Sequence, residues 1–207
     1  MDQASIVSSI KDIQLVKKRR KQIIKASMTL FKEKGYHRTT TREIAKASGF
    51  SIGTLYEYIR TKEDVLYLVF ESINDSVYFH LKQTINKEIS SRDWLKKVIA
   101  SYFRLMDRMQ DEVIILYQEV KSLEDDMKNS ILKKEKEMVE LLKDAIMLNI
   151  PESLSNQEAE LVANNIFVQG HMWCFRRWML HQNFTLEQYI AMQTSFIEQV
   201  IPMKQIN

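Results

Sequence analysis

The sequence predicts an all-α fold, an N-terminal three-helix domain followed by a larger helical domain, with about nine helices in total. Glycine and proline, which interrupt helices, number only 4 and 2 among 207 residues. Apolar residues recur at spacings of three and four instead of alternating with polar ones, which indicates amphipathic helices. Several of these patterns follow a Ser or Thr with Glu, Gln or Asp three residues later, a signature of helix N-termini.

The first predicted helix runs from the basic segment at Lys17 to Lys34, and Gly35 ends it. Its apolar stripe comprises Ile23, Ile24, Ser27, Leu30 and Phe31. The roughly dozen residues before it have the composition of a frayed arm, although their isoleucines also suit an extension of this helix.

Two short helices and a tight turn follow. Thr40 with Glu43 forms a capping box for the second helix, Gly49 ends that helix, and Ser51 begins the third. The two helices are predicted over Arg42–Ala47 and Ile52–Ile59. Three helices within about 45 residues, with a short turn between the second and third, match the proportions of a helix-turn-helix, which places one helix in the major groove of DNA.

Longer helices are predicted in the remaining chain. Thr61 with Asp64 begins a fourth helix towards Ser90, and Pro151 marks a later break. Further helices are predicted near 91–109, 111–121, 124–149, 156–182 and 186–200. We expect a helix-turn-helix DNA-binding domain over 15–65 and a second, larger helical domain over 66–202, to which the family resemblance described below assigns effector binding and dimerisation.

Positive charge is concentrated in the predicted helix-turn-helix. The segment 17–62 contains 13 Lys or Arg and 3 Asp or Glu, whereas the whole chain carries a net charge of only +3. A basic module attached to an acidic body is typical of proteins that bind nucleic acid through one end. A lysine-rich solvated helix face is the alternative explanation.

Several other classes of protein find little support in the sequence. The apolar runs are far shorter than the roughly 20 residues of a membrane span, and the first residues lack a signal-peptide pattern. The single Cys174 favours a reduced, cytoplasmic location. His171, Cys174 and His181 lack the spacing of a metal site, so we predict neither a metal nor a cofactor. No common catalytic motif is present, and we predict no catalytic residue.

The segment KASMTLFKEKGYHRTTTREIAKASGFSIGTLYEYIRTKEDVL resembles the start of TetR-family transcriptional regulators, AAxxLFxxxGYxxTTxxxIAxxAGxSxGxxYxYFxxKEDL. The chain departs from this pattern mildly, at Ser27, Ser48, Ile59 and Val65. The resemblance covers roughly 20–70. It implies a homodimer formed through the last two helices, binding of a palindromic operator in double-stranded DNA, and repression as the default.

The predicted DNA-binding residues are Thr40, Thr41, Arg42, Ser51, Ile52, Gly53, Thr54, Tyr56, Tyr58 and Lys62. Small hydroxyl residues suit contacts with phosphates, and Gly53 leaves space where backbone and groove approach. The resemblance implies that Tyr56 packs against the DNA backbone and that Lys62 contacts a phosphate. Alternative explanations remain for these residues. Either tyrosine could be a half-buried core residue, and Tyr58 is the weaker candidate for DNA contact. Lys62 could be an ordinary exposed lysine.

The predicted effector-binding residues are Tyr102, Phe103, Met106, Tyr117, Phe167, Gly170, Trp173, Cys174 and Arg177. Methionine and aromatic side chains form an adaptable core, and the resemblance implies that such a core opens around a ligand. Arg177 has two explanations: an ion pair with Glu112, Glu119 or Asp144, or capture of an anionic headgroup. An acyl-CoA or fatty-acid-like effector suits both the apolar region and the arginine.

We therefore expect a homodimeric repressor that a small apolar or amphipathic effector releases from its operator. Two alternatives remain open: a DNA-binding regulator controlled by a protein partner without a small-molecule effector, and, with less support, a helical enzyme.

Overall fold

The computed structural model describes residues 6, 8, 10–86, 91–150 and 154–201, without the side chains of 91 and 92. These residues form α-helices and connecting turns, and no β-strand occurs among them. The predicted break at Pro151 and residue 202, where the second domain was expected to end, lie outside the described ranges.

Ten α-helices occur in these ranges, one more than expected. They are α1 (Ile13–Lys34), α2 (Thr41–Ser48), α3 (Ile52–Tyr56), α4 (Lys62–Ile85), α5 (Ser91–Arg108), α6 (Gln110–Glu119), α7 (Asp125–Asn149), α8 (Asn156–Phe175), α9 (Arg177–Asn183) and α10 (Leu186–Val200), with a 3₁₀ turn (Val120–Ser122) between α6 and α7.

The capping residues that the sequence indicated begin α2 and α3 and end α1 and α2, whereas α1 begins at Ile13, before the predicted Lys17. The Thr40–Glu43 capping box is formed at the start of α2, and the Ser51 hydroxyl accepts from the Thr54 backbone N–H at the start of α3. Gly35 and Gly49 end α1 and α2 with φ of 82° and 78°, in the left-handed region that glycine adopts without steric cost.

Two predicted helices end earlier than expected. The third helix stops at Tyr56 instead of Ile59, because the N–H groups of Tyr58 and Ile59 both bond to the Leu55 carbonyl and turn the chain. The segment predicted as one helix over 156–182 breaks at Arg176, whose φ of −104° and ψ of 21° lie outside the helical range. Its carbonyl accepts from Leu180 and begins α9.

The chain forms two compact units, of which the first comprises 1–75 and 115–133. Its core contains the predicted stripe residues Ile23 and Phe31, which are buried as expected, packed with α2 and α3. Within this unit His37 Nε2 lies 3.1 Å from Glu119 Oε2, and the Tyr67 hydroxyl lies 3.2 Å from that of Ser130. The segment 115–133 is therefore tied to the helix-turn-helix by polar contacts.

The second unit comprises 76–114 and 134–207, and its core is built from α5, α7, α8 and α10. The division between the units falls within α4, α6 and α7, so each of these helices contributes residues to both. The predicted boundary between 65 and 66 stays a prediction. Within the described ranges, no helix has the length and apolar character that a bilayer crossing requires.

Candidate nucleic-acid interface and effector core

The start of α2 and the start of α3 present a surface of hydroxyl, arginine and aromatic side chains. Of the predicted DNA-binding residues, Thr40, Arg42, Ser51, Ile52, Gly53 and Tyr56 are exposed, and Thr41, Thr54 and Lys62 are half-buried. The Thr41 hydroxyl lies 3.3 Å from the Tyr56 hydroxyl and joins the two helices at the surface. The helix-turn-helix therefore brings nine of the ten predicted side chains towards solvent.

Two of these hydroxyls are already used to hold the helices. Ser51 Oγ accepts from Thr54 N and lies 3.0 Å from Thr54 Oγ1, while Thr40 Oγ1 accepts from Glu43 N. A hydroxyl group has one proton to donate, and Thr40 donates its proton to Glu43 Oε2. The Ser51 hydroxyl keeps its proton for a phosphate oxygen when Thr54 is the donor in the contact between their two hydroxyls. These residues thus fix the helix ends and face the same solvent region.

The fold leaves space for a side chain at Gly53. A Cβ atom at this position would lie 3.7 Å from Ser51 Oγ, an ordinary contact, and the backbone is not in the left-handed region. Alanine is the better helix former by about 1 kcal/mol. The contacts within the protein therefore do not require glycine at this position, and its role in DNA binding stays a prediction.

Tyr58 is the exception among the predicted DNA-binding residues. Its side chain is only 3 % exposed, and its ring stacks on Phe50 with centroids 6.2 Å apart. Because α3 ends at Tyr56, the chain turns Tyr58 into the core next to Ile59. Tyr58 is a core residue in this structure, and we exclude it from the interface.

Lys62 contacts the turn between α1 and α2. Its ammonium group lies within 3.4 Å of the carbonyl oxygens of Tyr36, His37 and Thr39, and 4.3 Å from the centre of the Tyr36 ring. Three carbonyls and an aromatic face compensate for placing a cation in the first turn of α4. This intramolecular role was not predicted from the sequence.

Glu43 anchors the N-terminus of α2. Its carboxylate accepts from the backbone and hydroxyl of Thr40 and pairs with Lys34. The bonds from Lys34, followed by those from Thr40, lower the pKa of Glu43 to about 2. The carboxylate is thus ionised throughout the physiological range, and it keeps the start of α2 in place.

Seven of the nine predicted effector residues pack into one core in the second unit. Tyr102, Phe103, Met106, Phe167, Gly170, Trp173 and Cys174 are all buried there. The Tyr102 ring meets the Phe167 ring edge-on, with centroids 5.0 Å apart, and a Cβ atom added at Gly170 would lie 2.5 Å from Tyr102 Cε1. Gly170 therefore makes room for the Tyr102 ring, which fills the space beside its Cα atom.

The other two predicted effector residues lie outside this core. Tyr117 is 42 % exposed and belongs to the first unit. Arg177 is half exposed, and its Nη1 donates to Asp111 Oδ1 over 2.8 Å. The ion-pair explanation fits this geometry, but its partner is none of the three acidic residues proposed from the sequence. Asp111 is at the start of α6, where an acidic residue is also favoured by the helix dipole.

The histidines and the cysteine of this region have partners other than a metal. His171 Nε2 lies 3.1 Å from the Tyr102 hydroxyl, and burial lowers the pKa of His171 to about 4. Burial raises the pKa of the Cys174 thiol to about 12, and the His181 ring stacks on Trp173. Within the part of the chain that is described, no group of three or more metal-ligating side chains occurs.

An exposed apolar face runs along α8 and α10. It comprises Leu161, Val168 and Met172 on α8 and Met192, Phe196 and Val200 on α10, each between 40 and 66 % exposed. Spacings of four and seven keep each set on one face of its helix. We call these six residues the α8–α10 face.

Known proteins resemble this chain in both sequence and structure. The family described as "Bacterial regulatory proteins, tetR family" matches residues 23–68. The HTH-type transcriptional regulator HbdR of Aromatoleum sp. (strain CIB) is 27 % identical over 187 residues, 90 % of this chain and 82 % of that protein. The fatty acid metabolism regulator protein of Bacillus subtilis (strain 168) is 32 % identical over 85 residues, 41 % of this chain and 44 % of that protein.

A solved structure shares the fold along most of the chain. The transcriptional regulator FadR from Bacillus subtilis, in complex with stearoyl-CoA, superposes with a TM-score of 0.67 at 22 % identity, covering 87 % of this chain and 97 % of that one. The helix-turn-helix surface and these matches define the class of protein, a DNA-binding transcriptional regulator and not an enzyme. The chain belongs to the TetR family of bacterial regulatory proteins.

Proposed function

We propose that this chain is a homodimeric repressor that binds a palindromic operator through α2 and α3 and leaves it when an amphipathic effector enters the second unit. The observation that carries the DNA-binding role is the exposed surface formed by Thr40, Arg42, Ser51, Gly53 and Tyr56. Few of these side chains can read a base with two hydrogen bonds, so sequence preference rests partly on backbone contacts and DNA shape.

The α8–α10 face supports a homodimer. Three large apolar side chains are exposed on one face of α8 and three on one face of α10, and exposed apolar side chains that share a face are typical of protein interfaces. The occupant we infer is a second copy of the chain, since a two-fold dimer places two recognition helices on the two halves of a palindrome. We therefore assign dimerisation to α8 and α10.

The core around Gly170 supports an apolar or amphipathic effector. Its methionine and aromatic side chains can rearrange, and Arg177 with Asp111 lies beside it on α9 and α6. A regulator of the same fold is known in complex with stearoyl-CoA. We infer an acyl-CoA or fatty-acid-like effector, whose acyl chain displaces Tyr102 and whose anionic group competes with Asp111 for Arg177.

Effector binding would act on DNA affinity through the helices that contribute to both units. Helix α4 begins directly after the recognition helix and continues into the second unit. A shift of α4 in each protomer would change the distance between the two recognition helices, which has to match a groove repeat of about 34–36 Å. Equal separations in operator-bound and effector-bound structures would contradict this mechanism.

The DNA-binding surface is tested by Gly53→Ala and Tyr56→Ala in salt-titrated binding to a duplex that the wild-type protein selects from random DNA. Gly53→Ala should stabilise the fold by about 0.5–1 kcal/mol and still weaken duplex binding by roughly tenfold, because the methyl group obstructs only the partner. Tyr56→Ala should weaken binding similarly. Thr29→Ala, on exposed α1 surface, is the control. Wild-type affinity in both variants would show that α3 does not meet DNA.

The effector is tested with stearoyl-CoA and stearate as probes. Stearoyl-CoA should raise the Tm of the free protein and release the selected duplex. Arg177→Ala should weaken stearoyl-CoA binding by about tenfold, whereas Arg176→Ala should not, because Arg176 faces outward over the exposed Trp178 ring. No Tm shift and no release with either probe, alongside intact duplex binding, would favour control by a protein partner.

A further inference from the structure

We propose that the N-terminal arm and Arg20 together clamp the C-terminal end of the recognition helix α3. The arm consists of Ile6, Ser8 and Ile10, which precede α1, and composition alone suggested that this segment frays. In the structure Ile6 is instead 8 % exposed and packs into the first unit. The arm is thus part of the DNA-binding unit.

Three hydrogen bonds connect the arm, α1 and the end of α3. The Ser8 hydroxyl donates to the Glu57 carbonyl over 2.8 Å. Arg20 Nη2, from α1, donates to the Ile6 carbonyl over 2.7 Å and to the Tyr58 carbonyl over 3.3 Å. One guanidinium group therefore holds the arm and the chain that leaves α3, and the arm holds α3 directly.

Helix α3 needs such support because it is very short. Its five residues, Ile52–Tyr56, form little more than one turn, and helices of that length are not stable alone. The carbonyls of Glu57 and Tyr58 follow its last turn, where helix carbonyls lack intrahelical partners and carry partial negative charge. A serine hydroxyl and a cation are suitable donors for these carbonyls.

The surroundings of Arg20 favour a fixed position. Burial lowers the pKa of Arg20, and the nearby carboxylates of Glu71 and Asp64 oppose that effect. Asp64 also accepts from the N–H groups of Arg60 and Thr61, which lead from α3 into α4. Arg20 is therefore a positioning residue: it lies near two carboxylates, and a single guanidinium nitrogen, Nη2, donates both bonds. The compact ammonium group of lysine does not reproduce the planar guanidinium that carries this nitrogen.

The clamp rests on the proposed function, because it affects DNA binding only if α3 is the helix that enters the major groove. A recognition helix that is already fixed before binding loses less conformational entropy on the operator. Loosening its C-terminal end should weaken operator binding without changing the charge that the protein presents to phosphates. This combination separates the clamp from a direct phosphate contact by Arg20.

The test is Arg20→Lys, which keeps the charge and replaces the planar guanidinium, whose Nη2 donates both bonds, with a compact ammonium group. We expect roughly tenfold weaker binding to the duplex selected by the wild-type protein, with an unchanged salt slope, and faster amide exchange at Leu55–Ile59 in the free protein. Arg38→Lys is the matched control, because its guanidinium bonds within the α1 C-terminus, Nε to the Lys34 carbonyl. It should leave both quantities within about twofold of wild type.

Ser8→Ala is the second variant and decides the question if Arg20→Lys does not fold. It should accelerate exchange at Leu55–Ile59 and weaken duplex binding, and Ser8→Thr should restore both. Wild-type exchange rates at these amides in both variants would overturn the clamp, whatever the duplex affinity. Failure of the wild-type protein to select any duplex would instead contradict the proposed function, and the exchange measurement would still report on the clamp.

Discussion

Replacing Phe196 with glutamate should convert the protein to a monomer and weaken operator binding by about 100-fold or more. Phe196 lies at the centre of the α10 part of the α8–α10 face, between Met192 and Val200, and is 51 % exposed in the single chain. A carboxylate buried there without a partner would cost several kcal/mol. Two-fold symmetry places a second glutamate in the same interface and adds to that cost.

Sedimentation analysis together with duplex titration measures both effects. Ala191→Glu is the matched control, because Ala191 is exposed on the same helix but turned well away from Phe196. That variant should remain dimeric and bind as wild type. A duplex carrying one half-site should bind the Phe196→Glu and wild-type proteins with similar affinity, which shows that α3 is intact. A Phe196→Glu protein that remains dimeric would place the dimer contact elsewhere.

Local signals in the sequence were sufficient to predict the starts of α2 and α3 and the ends of α1 and α2. The Thr40–Glu43 box and Gly49 act on backbone groups within a few residues, so their effect does not depend on distant contacts. The same holds for the capping boxes at Ser155 and Thr185, which begin α8 and α10. The all-α fold and the membership of the TetR family also followed from the sequence.

Features that depend on distant residues were not predicted. Tyr56 and Tyr58 were both predicted to bind DNA from one helix over Ile52–Ile59, but α3 ends at Tyr56 and Tyr58 is buried in the core. The arm at Ser8 lacks a local pattern that points to Glu57, since the two residues are 49 positions apart. The spacing of apolar residues likewise did not predict the break at Arg176. After this break, Arg177 pairs with Asp111.

The core of the second unit shows which features could be predicted from the sequence and which could not. Tyr102, Phe167 and Trp173 were predicted to belong to an adaptable core of aromatic and methionine side chains, and all three are buried. That Gly170 receives the Tyr102 ring could not be predicted from a local pattern, because the two residues lie on different helices, α5 and α8. Buried positions were therefore predictable, whereas the pairs of residues that meet were not.

Tyr102→Ala should lower the free energy of unfolding by about 3–5 kcal/mol, the second large effect we expect. The side chain is 2 % exposed, meets Phe103 and Phe167 edge-on, and bonds to His171. Its removal leaves a cavity and takes a polar partner from a buried histidine. Urea denaturation at constant protein concentration measures the loss, and the exposed Tyr78→Ala should cost about 1 kcal/mol or less.

A double-mutant cycle with Gly170→Ala shows whether the loss arises from the contact that we assign. In the wild-type background the added methyl group would lie 2.5 Å from Tyr102 Cε1, and overpacking of this kind costs about 1–3 kcal/mol. In the Tyr102→Ala background the same methyl group occupies the space that the ring has left, so it should lower the free energy of unfolding very little. The two changes should therefore be strongly non-additive. Additive effects, or a Tyr102→Ala loss near 1 kcal/mol, would mean that the ring does not pack on Gly170 and that the core is already open to ligand.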